Sequence, residues 1–135
     1  MSQSYFDNLQ RRKHPDWYND HMIISTTTPF TLEQIEKLKE QFDVYIKTVI
    51  DVERKICVAG MDRHYEGEQI LLKDGSKQSN LWGGGIDTNS QDIDFNSFIN
   101  IRPNDDNTSN EIQSLEIRQV YTELTKYFFK VIYEK

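Results

Sequence analysis

The chain has 135 residues, 36% of them hydrophobic and 28% charged, with a formal net charge of -6. That length suits one folded domain with a core of its own. The acidic balance argues against nucleic-acid binding, which asks for a basic patch or stripe, and no apolar run approaches the roughly 18 residues of a membrane helix.

Residues 1–21 differ in character from the rest of the chain. Tyr5, Phe6 and Leu9 could share one side of a short helix, and Arg11-Arg12-Lys13-His14 then meets Pro15, a helix stop. His21-Met22 matches the junction that a common cloning site leaves. The segment therefore reads as an N-terminal extension, docked or mobile, or as an addition made in cloning. Residues 22–135 read as a single domain.

Met22-Ile23-Ile24-Ser25 is a first short strand. A helix comes next: Thr31 is a natural N-cap and Gln34 completes a capping box. Phe30 can staple onto Ile35, and Leu32, Ile35, Leu38 and Phe42 keep helical spacing. From Val44 to Asp51 the period changes to two, with Ile46, Thr48 and Ile50 on one face and Tyr45, Lys47 and Val49 on the other. Val52-Glu53-Arg54 turns the chain, and Lys55 to Gly60 returns as a third strand. Cys57 lies in that apolar run and reads as a core residue; as the only cysteine it makes no intrachain disulfide. No secretion signal is visible, so the expected location is cytoplasmic.

Met61 to Gly67 reads as a polar connection, and Glu68 to Lys73, with Ile70-Leu71-Leu72, as a fourth strand. Asp74 to Asp92 reads as a long polar loop around Leu81-Trp82-Gly83-Gly84-Gly85. A loop of that length in a compact domain is usually functional or disordered. Trp82 is expected to be buried and to hold the loop on the sheet. The glycines would let the chain turn beside the indole. Phe95 to Arg102 reads as the fifth strand, ended by Pro103. A last helix, capped by Thr108 with Glu111 or by Ser114, carries Ile117, Val120, Tyr121, Leu124, Tyr127, Phe128 and Val131 as an apolar stripe. The expected fold is α+β: a mainly antiparallel sheet of about five strands, covered on one face by two amphipathic helices.

Several motifs resemble those of an uncharacterised bacterial small-domain family, one of the numbered domains of unknown function. They are Val49-Ile50-Asp51-Val52-Glu53; His64 with Glu66 and Glu68; Leu71-Leu72-Lys73-Asp74-Gly75-Ser76-Lys77-Gln78; Leu81-Trp82-Gly83; and Ile99-Asn100-Ile101-Arg102-Pro103 with Asn107-Thr108-Ser109. The resemblance covers about residues 22–135. It implies a compact domain and no particular reaction. Where the family pattern has Gly after the Arg-Pro pair, this chain has Asp106.

Two constellations carry possible chemistry. Asp62, His64 and Glu66 alternate, so in an extended stretch they would point the same way. Two carboxylates and an imidazole suit a divalent metal or acid–base work; the plainer alternative is a solvated connection. If the last three strands alternate in direction, the fifth brings Arg102, Asn104 and Asn107 to the same end. Arg102 would then offer a fork to a carboxylate or phosphate, or pair with Glu66. Asp87, Asn89 and Gln91 imitate a calcium loop, but Asp92 and Phe98 stand where its glycine and bidentate carboxylate must be. The ligand-binding candidates are therefore His64, Glu66, Arg102, Asn104, Asn107 and Trp82, and the metal candidates Asp62, His64 and Glu66. No residue is assigned as catalytic. The expected function is a small binding or regulatory module for a small polar or anionic ligand or a protein partner. The alternative is a metal-assisted hydrolase or lyase using His64 and neighbouring carboxylates.

Overall fold

The computed structural model describes residues 22–134. The readings made for residues 1–21 lie outside them. The fold is α+β, built on a five-stranded antiparallel sheet of order β1-β3-β2-β4-β5. Its strands are β1 (Ile24–Thr26), β2 (Tyr45–Asp51), β3 (Ile56–Ala59), β4 (Leu81–Asp87) and β5 (Ile93–Asp94). Helices α1 (Leu32–Phe42), α2 (His64–Lys73), α3 (Leu115–Phe128) and the short α4 (Lys130–Tyr133) complete it. Among the described residues no helix is long and apolar enough to cross a membrane.

Helix α1 begins at the expected capping box. The Gln34 N–H donates to Thr31 Oγ1 at 3.1 Å, and Gln34 Oε1 accepts the Thr31 N–H at 2.9 Å. Ile35, Leu38 and Phe42 bury the inner face. Phe30 is buried just before the cap, its ring 4.9 Å from that of Phe129, which ties the start of α1 to the end of α3. Helix α3 is capped by Ser114, whose Oγ accepts the Ile117 N–H at 3.2 Å.

The period-two reading of β2 holds. Ile46 and Ile50, with Cys57 and Ala59 of β3 and Trp82 and Ile86 of β4, pack under α1 and α3. Val49, Val58, Ile56 and Leu81 face the other way and pack with Met61 and Leu71 under α2. Two helices thus cover one face, as expected, and a third covers the opposite face, where none was expected. The Cys57 thiol is fully buried and its pKa is pushed up by that burial, which suits a core residue.

Three segments differ from the sequence reading. The first is Glu68 to Lys73, read as a strand and found to be the second half of α2. Gly67, Glu68 and Leu71 are its buried residues, at helical spacing. A Cβ on Gly67 would come within 2.6 Å of Met61 Cε and 2.9 Å of Val49 Cγ2, so the glycine lets the helix lie close on the sheet. The helix ends in a Schellman motif at Gly75 (φ 98), with Ser76 N–H donating to Leu71 O at 2.9 Å and Gly75 N–H to Leu72 O at 3.1 Å.

The second is Leu81 to Asp87, read as part of a loop and found to be an inner strand paired residue by residue with β2. Trp82 is buried as expected, at 2% exposure, but as a strand residue. The third is Phe95 to Arg102, which forms a 3-10 turn at Phe98–Asn100 in place of a strand. Pro103 accordingly opens a second such turn, Pro103–Asp105, and ends no strand. Two buried asparagines organise this region. Asn100 Oδ1 accepts the Gly83 N–H at 2.9 Å, and its amide donates to the carbonyls of Gly83, Phe95 and Asn110, each at 3.0 Å. A side chain thereby occupies the edge of β4 that a neighbouring strand would fill. The Asn107 amide donates to the carbonyls of Asn100, Ser109 and Glu111 at 2.9–3.0 Å. Asp106 sits in the left-handed region (φ 60, ψ 27), the conformation that glycine adopts without cost.

Candidate functional site

The three consecutive glycines of β4 shape both faces of the sheet. A Cβ on Gly84 would lie 2.8 Å from the hydroxyl of Tyr121, which crosses that strand to reach Thr48 Oγ1 at 2.6 Å. On the α2 face, a Cβ on Gly83 would meet Ser97 Cβ at 2.7 Å and His64 Cδ2 at 3.0 Å. A Cβ on Gly85 would meet the Tyr45 hydroxyl at 2.3 Å. The glycines therefore make a flat floor across which His64 and Tyr45 lie, and they are not a turn.

A cleft of about 510 Å³ opens beside this floor, lined by Phe42, Asp43, Val44, Tyr45, Lys47, His64, Asp94 and Asn96. Each element contributes for a local reason. Tyr45 and Lys47 point the same way because β2 has period two. His64 enters as the first residue of α2. Asp94 is the last residue of β5, and Asn96 lies just beyond it. Asp43 closes α1 with φ 65 and ψ -114, outside the basins an ordinary residue occupies. His64 Nε2 donates to the Gly84 carbonyl at 2.7 Å, and Lys47 Nζ donates to the Asp62 carbonyl at 2.7 Å. A carbonyl only accepts, so the neutral His64 ring carries its lone pair on Nδ1. A second cleft, of about 590 Å³, lies between β1 and α2. Its ionisable residues are Lys73 and Asp74, both exposed, and it holds none of the candidates.

The remaining candidates divide by role. Because α2 starts at His64, the stretch from Asp62 to Glu66 is not extended. Glu66 Oε1 accepts the N–H groups of Asp62 and Arg63, both at 3.1 Å, and caps the helix. The proposed metal set Asp62, His64 and Glu66 thus loses its common direction, and no group of three or more His, Cys, Asp or Glu among the described residues could hold a metal ion.

Arg102 is 7% exposed, with its Cζ 4.1 Å from the centre of the Trp82 ring. Its Nη1 donates to the Gln78 carbonyl at 2.5 Å, and its ion pair is with Asp105 at 3.5 Å, not with Glu66. Burial lowers the guanidinium pKa, and the charges of Asp105 and Glu68 oppose that. Asn107 is buried and holds backbone, whereas Asn104 is exposed. His64 lies against Gly83 and Arg102 against Trp82, successive residues whose side-chain directions lie on opposite faces of β4. Sequence reasoning missed Tyr45, Lys47 and Asp94. The β2 alternation, which puts Tyr45 and Lys47 on one face, was the signal for those two, and no local pattern pointed to Asp94.

A sequence profile described as "Protein of unknown function (DUF5674)" matches residues 22–128. The chain belongs to the DUF5674 family. The match spans every element from β1 to α3, so the floor, the cleft and the Arg102–Trp82 stack of this DUF5674 chain all lie within it. No curated protein and no solved structure matches the chain.

Proposed function

We propose that this DUF5674 protein is a small binding module whose ligand occupies the His64 cleft. One observation carries the reading: tyrosine, lysine, imidazole and carboxylate side chains line one cleft, and its tyrosine and imidazole lie against glycines of β4. Concave sites with a few converging polar groups are the usual places for small ligands. The strained backbone of Asp43 supports it, since such strain clusters at functional sites.

The cleft is lined by one ammonium, Lys47, and two carboxylates, Asp43 and Asp94, with hydroxyl and amide groups from Tyr45 and Asn96. That mixture favours a small zwitterion, such as a free amino acid, over a simple anion. The test is thermal unfolding of the full chain against free amino acids and small polyols at matched ionic strength. A true ligand at about 100 times its Kd stabilises by about 2.7 kcal/mol. Lys47→Met should remove that shift. If no compound of this chemistry moves the transition, or if Lys47→Met leaves the shift intact, the reading fails.

A second reading is a hydrolase or lyase in which His64 moves a proton. What favours it is the Gly84 hydrogen bond, which fixes Nδ1 as the basic nitrogen of the neutral ring. This reading uses no metal triad. It predicts turnover that His64→Gln abolishes.

A further inference from the structure

A different part of the molecule carries an independent inference. The guanidinium of Arg102 is held by Gln78 on Nη1 and by the Trp82 ring on one face. Its Nε and Nη2 are buried and have no hydrogen-bond partner. These two nitrogens share one edge of the planar group, and their parallel N–H bonds form the fork that takes a carboxylate in bidentate fashion. Buried donors left unsatisfied in this way call for an explanation.

Asp105 supplies one. Its Oδ2 lies 3.5 Å from Nε, an ion pair longer than the roughly 2.7–2.9 Å of a charge-assisted hydrogen bond. The carboxylate thus stands at the fork without engaging it. Its side chain is 34% exposed. The loop that carries it is closed by Arg102 N–H to Asn107 O at 2.7 Å and Asn107 N–H to Arg102 O at 3.1 Å. Asp105 can therefore leave by side-chain rotation while the loop backbone stays in place.

We propose that the Nε–Nη2 edge of Arg102 is a carboxylate-binding site at which Asp105 stands in for the ligand. Charge balance decides the class. Glu68, 5% exposed and hydrogen-bonded by Gln78 Nε2 at 3.3 Å, acts on the same guanidinium, so one cation already faces two carboxylates. A third anion would be repelled, but a monocarboxylate that displaces Asp105 leaves the balance unchanged. A phosphate group, with a charge of about -1.5 to -2, would not.

The test monitors the Arg102 Nε–H resonance of the full chain by NMR, identified by its loss in Arg102→Lys or by through-bond assignment. The probe is acetate, with chloride at matched ionic strength as control and inorganic phosphate as a second arm. The expected result is a saturable acetate shift in the wild type, with a midpoint at a severalfold lower concentration in Asp105→Asn. Phosphate should act only at higher concentration. The proposal is overturned by a shift that does not saturate, by an equal response to chloride, or by equal midpoints in the two proteins. Phosphate binding tighter than acetate would overturn the carboxylate assignment.

Discussion

The imidazole of His64 donates from Nε2 to the main-chain carbonyl of Gly84 at 2.7 Å, so strand β4 sets the tautomer of a cleft residue. The neighbouring glycine makes room for it, since a Cβ on Gly83 would stand 3.0 Å from His64 Cδ2 and 2.7 Å from Ser97 Cβ. Gly83→Ala is therefore expected to destabilise the protein by about 1–3 kcal/mol through overpacking and to shift the His64 ring resonances. A urea melt and a histidine ring spectrum check this. An alanine variant with wild-type values in both would show that the ring is not held there.

The opposite face has its own test. Tyr121 reaches over Gly84 to Thr48 Oγ1 at 2.6 Å, and both residues are fully buried. Tyr121→Phe strands the Thr48 hydroxyl and should cost about 1–3 kcal/mol. Burial raises the Tyr121 pKa well above its ordinary value of 10.0. The folded chain keeps that proton where an unfolded tyrosine gives it up. This contribution to stability is therefore full below about pH 10 and is lost as the pH rises through and beyond it. Alkaline melts should show a shallower decline in Tyr121→Phe than in the wild type; parallel declines would contradict the assignment.

How much of this was legible in the sequence depended on which signals were local. The Thr31–Gln34 box, the alternation of β2 and the stripe of α3 are short-range patterns, and they hold. Helix α2 was misread because Ile70-Leu71-Leu72 looks like a strand and Arg63 is no ordinary N-cap. Its two available signals were Glu66 at the third helical position and Gly75 just past the end. Strand β4 was misread because three glycines suggest a loop. They are tolerated there because His64, Tyr121 and Tyr45 fill the space their missing side chains leave. That is a tertiary fact, invisible to propensity. With α2 and β4 misread, the convergence of Arg102 and His64 rested on strand directions that do not exist. His64 survives as a cleft residue because its place is set by the start of α2.

Asp87 is expected to contribute to stability in acid. Asp87 Oδ1 accepts the N–H groups of Ser90 and Asn89 at 2.9 and 2.8 Å, in the turn between β4 and β5. Those bonds lower its pKa below the ordinary 3.8. A depressed carboxylate contributes stability that is present above the unfolded value and lost as the pH falls through the folded one. Below about pH 4 the wild type should lose this contribution, and Asp87→Asn should show a flatter acid limb. Superimposable acid limbs would show that the turn is not stabilised by this charge.

Asp43 ends α1 in a conformation that suits glycine, and it lines the cleft. Relief of about 1–3 kcal/mol of strain, less glycine's entropy cost of about 0.5–1, predicts that Asp43→Gly is more stable by roughly 1 kcal/mol. The same variant removes one of the two cleft carboxylates and should therefore bind its ligand more weakly. A lower melting temperature in Asp43→Gly would mean that the aspartate side chain outweighs the strain.

Backbone amide shift mapping of the full chain with a stabilising amino acid reads out whether ligand binds in the His64 cleft. Binding there gives saturable shifts concentrated at Asp43–Lys47, His64, Gly83–Gly85 and Asp94–Asn96, lost in Lys47→Met. Saturable shifts confined to the β1–α2 cleft, around Ser25–Thr27 and Lys73–Asp74, would contradict it.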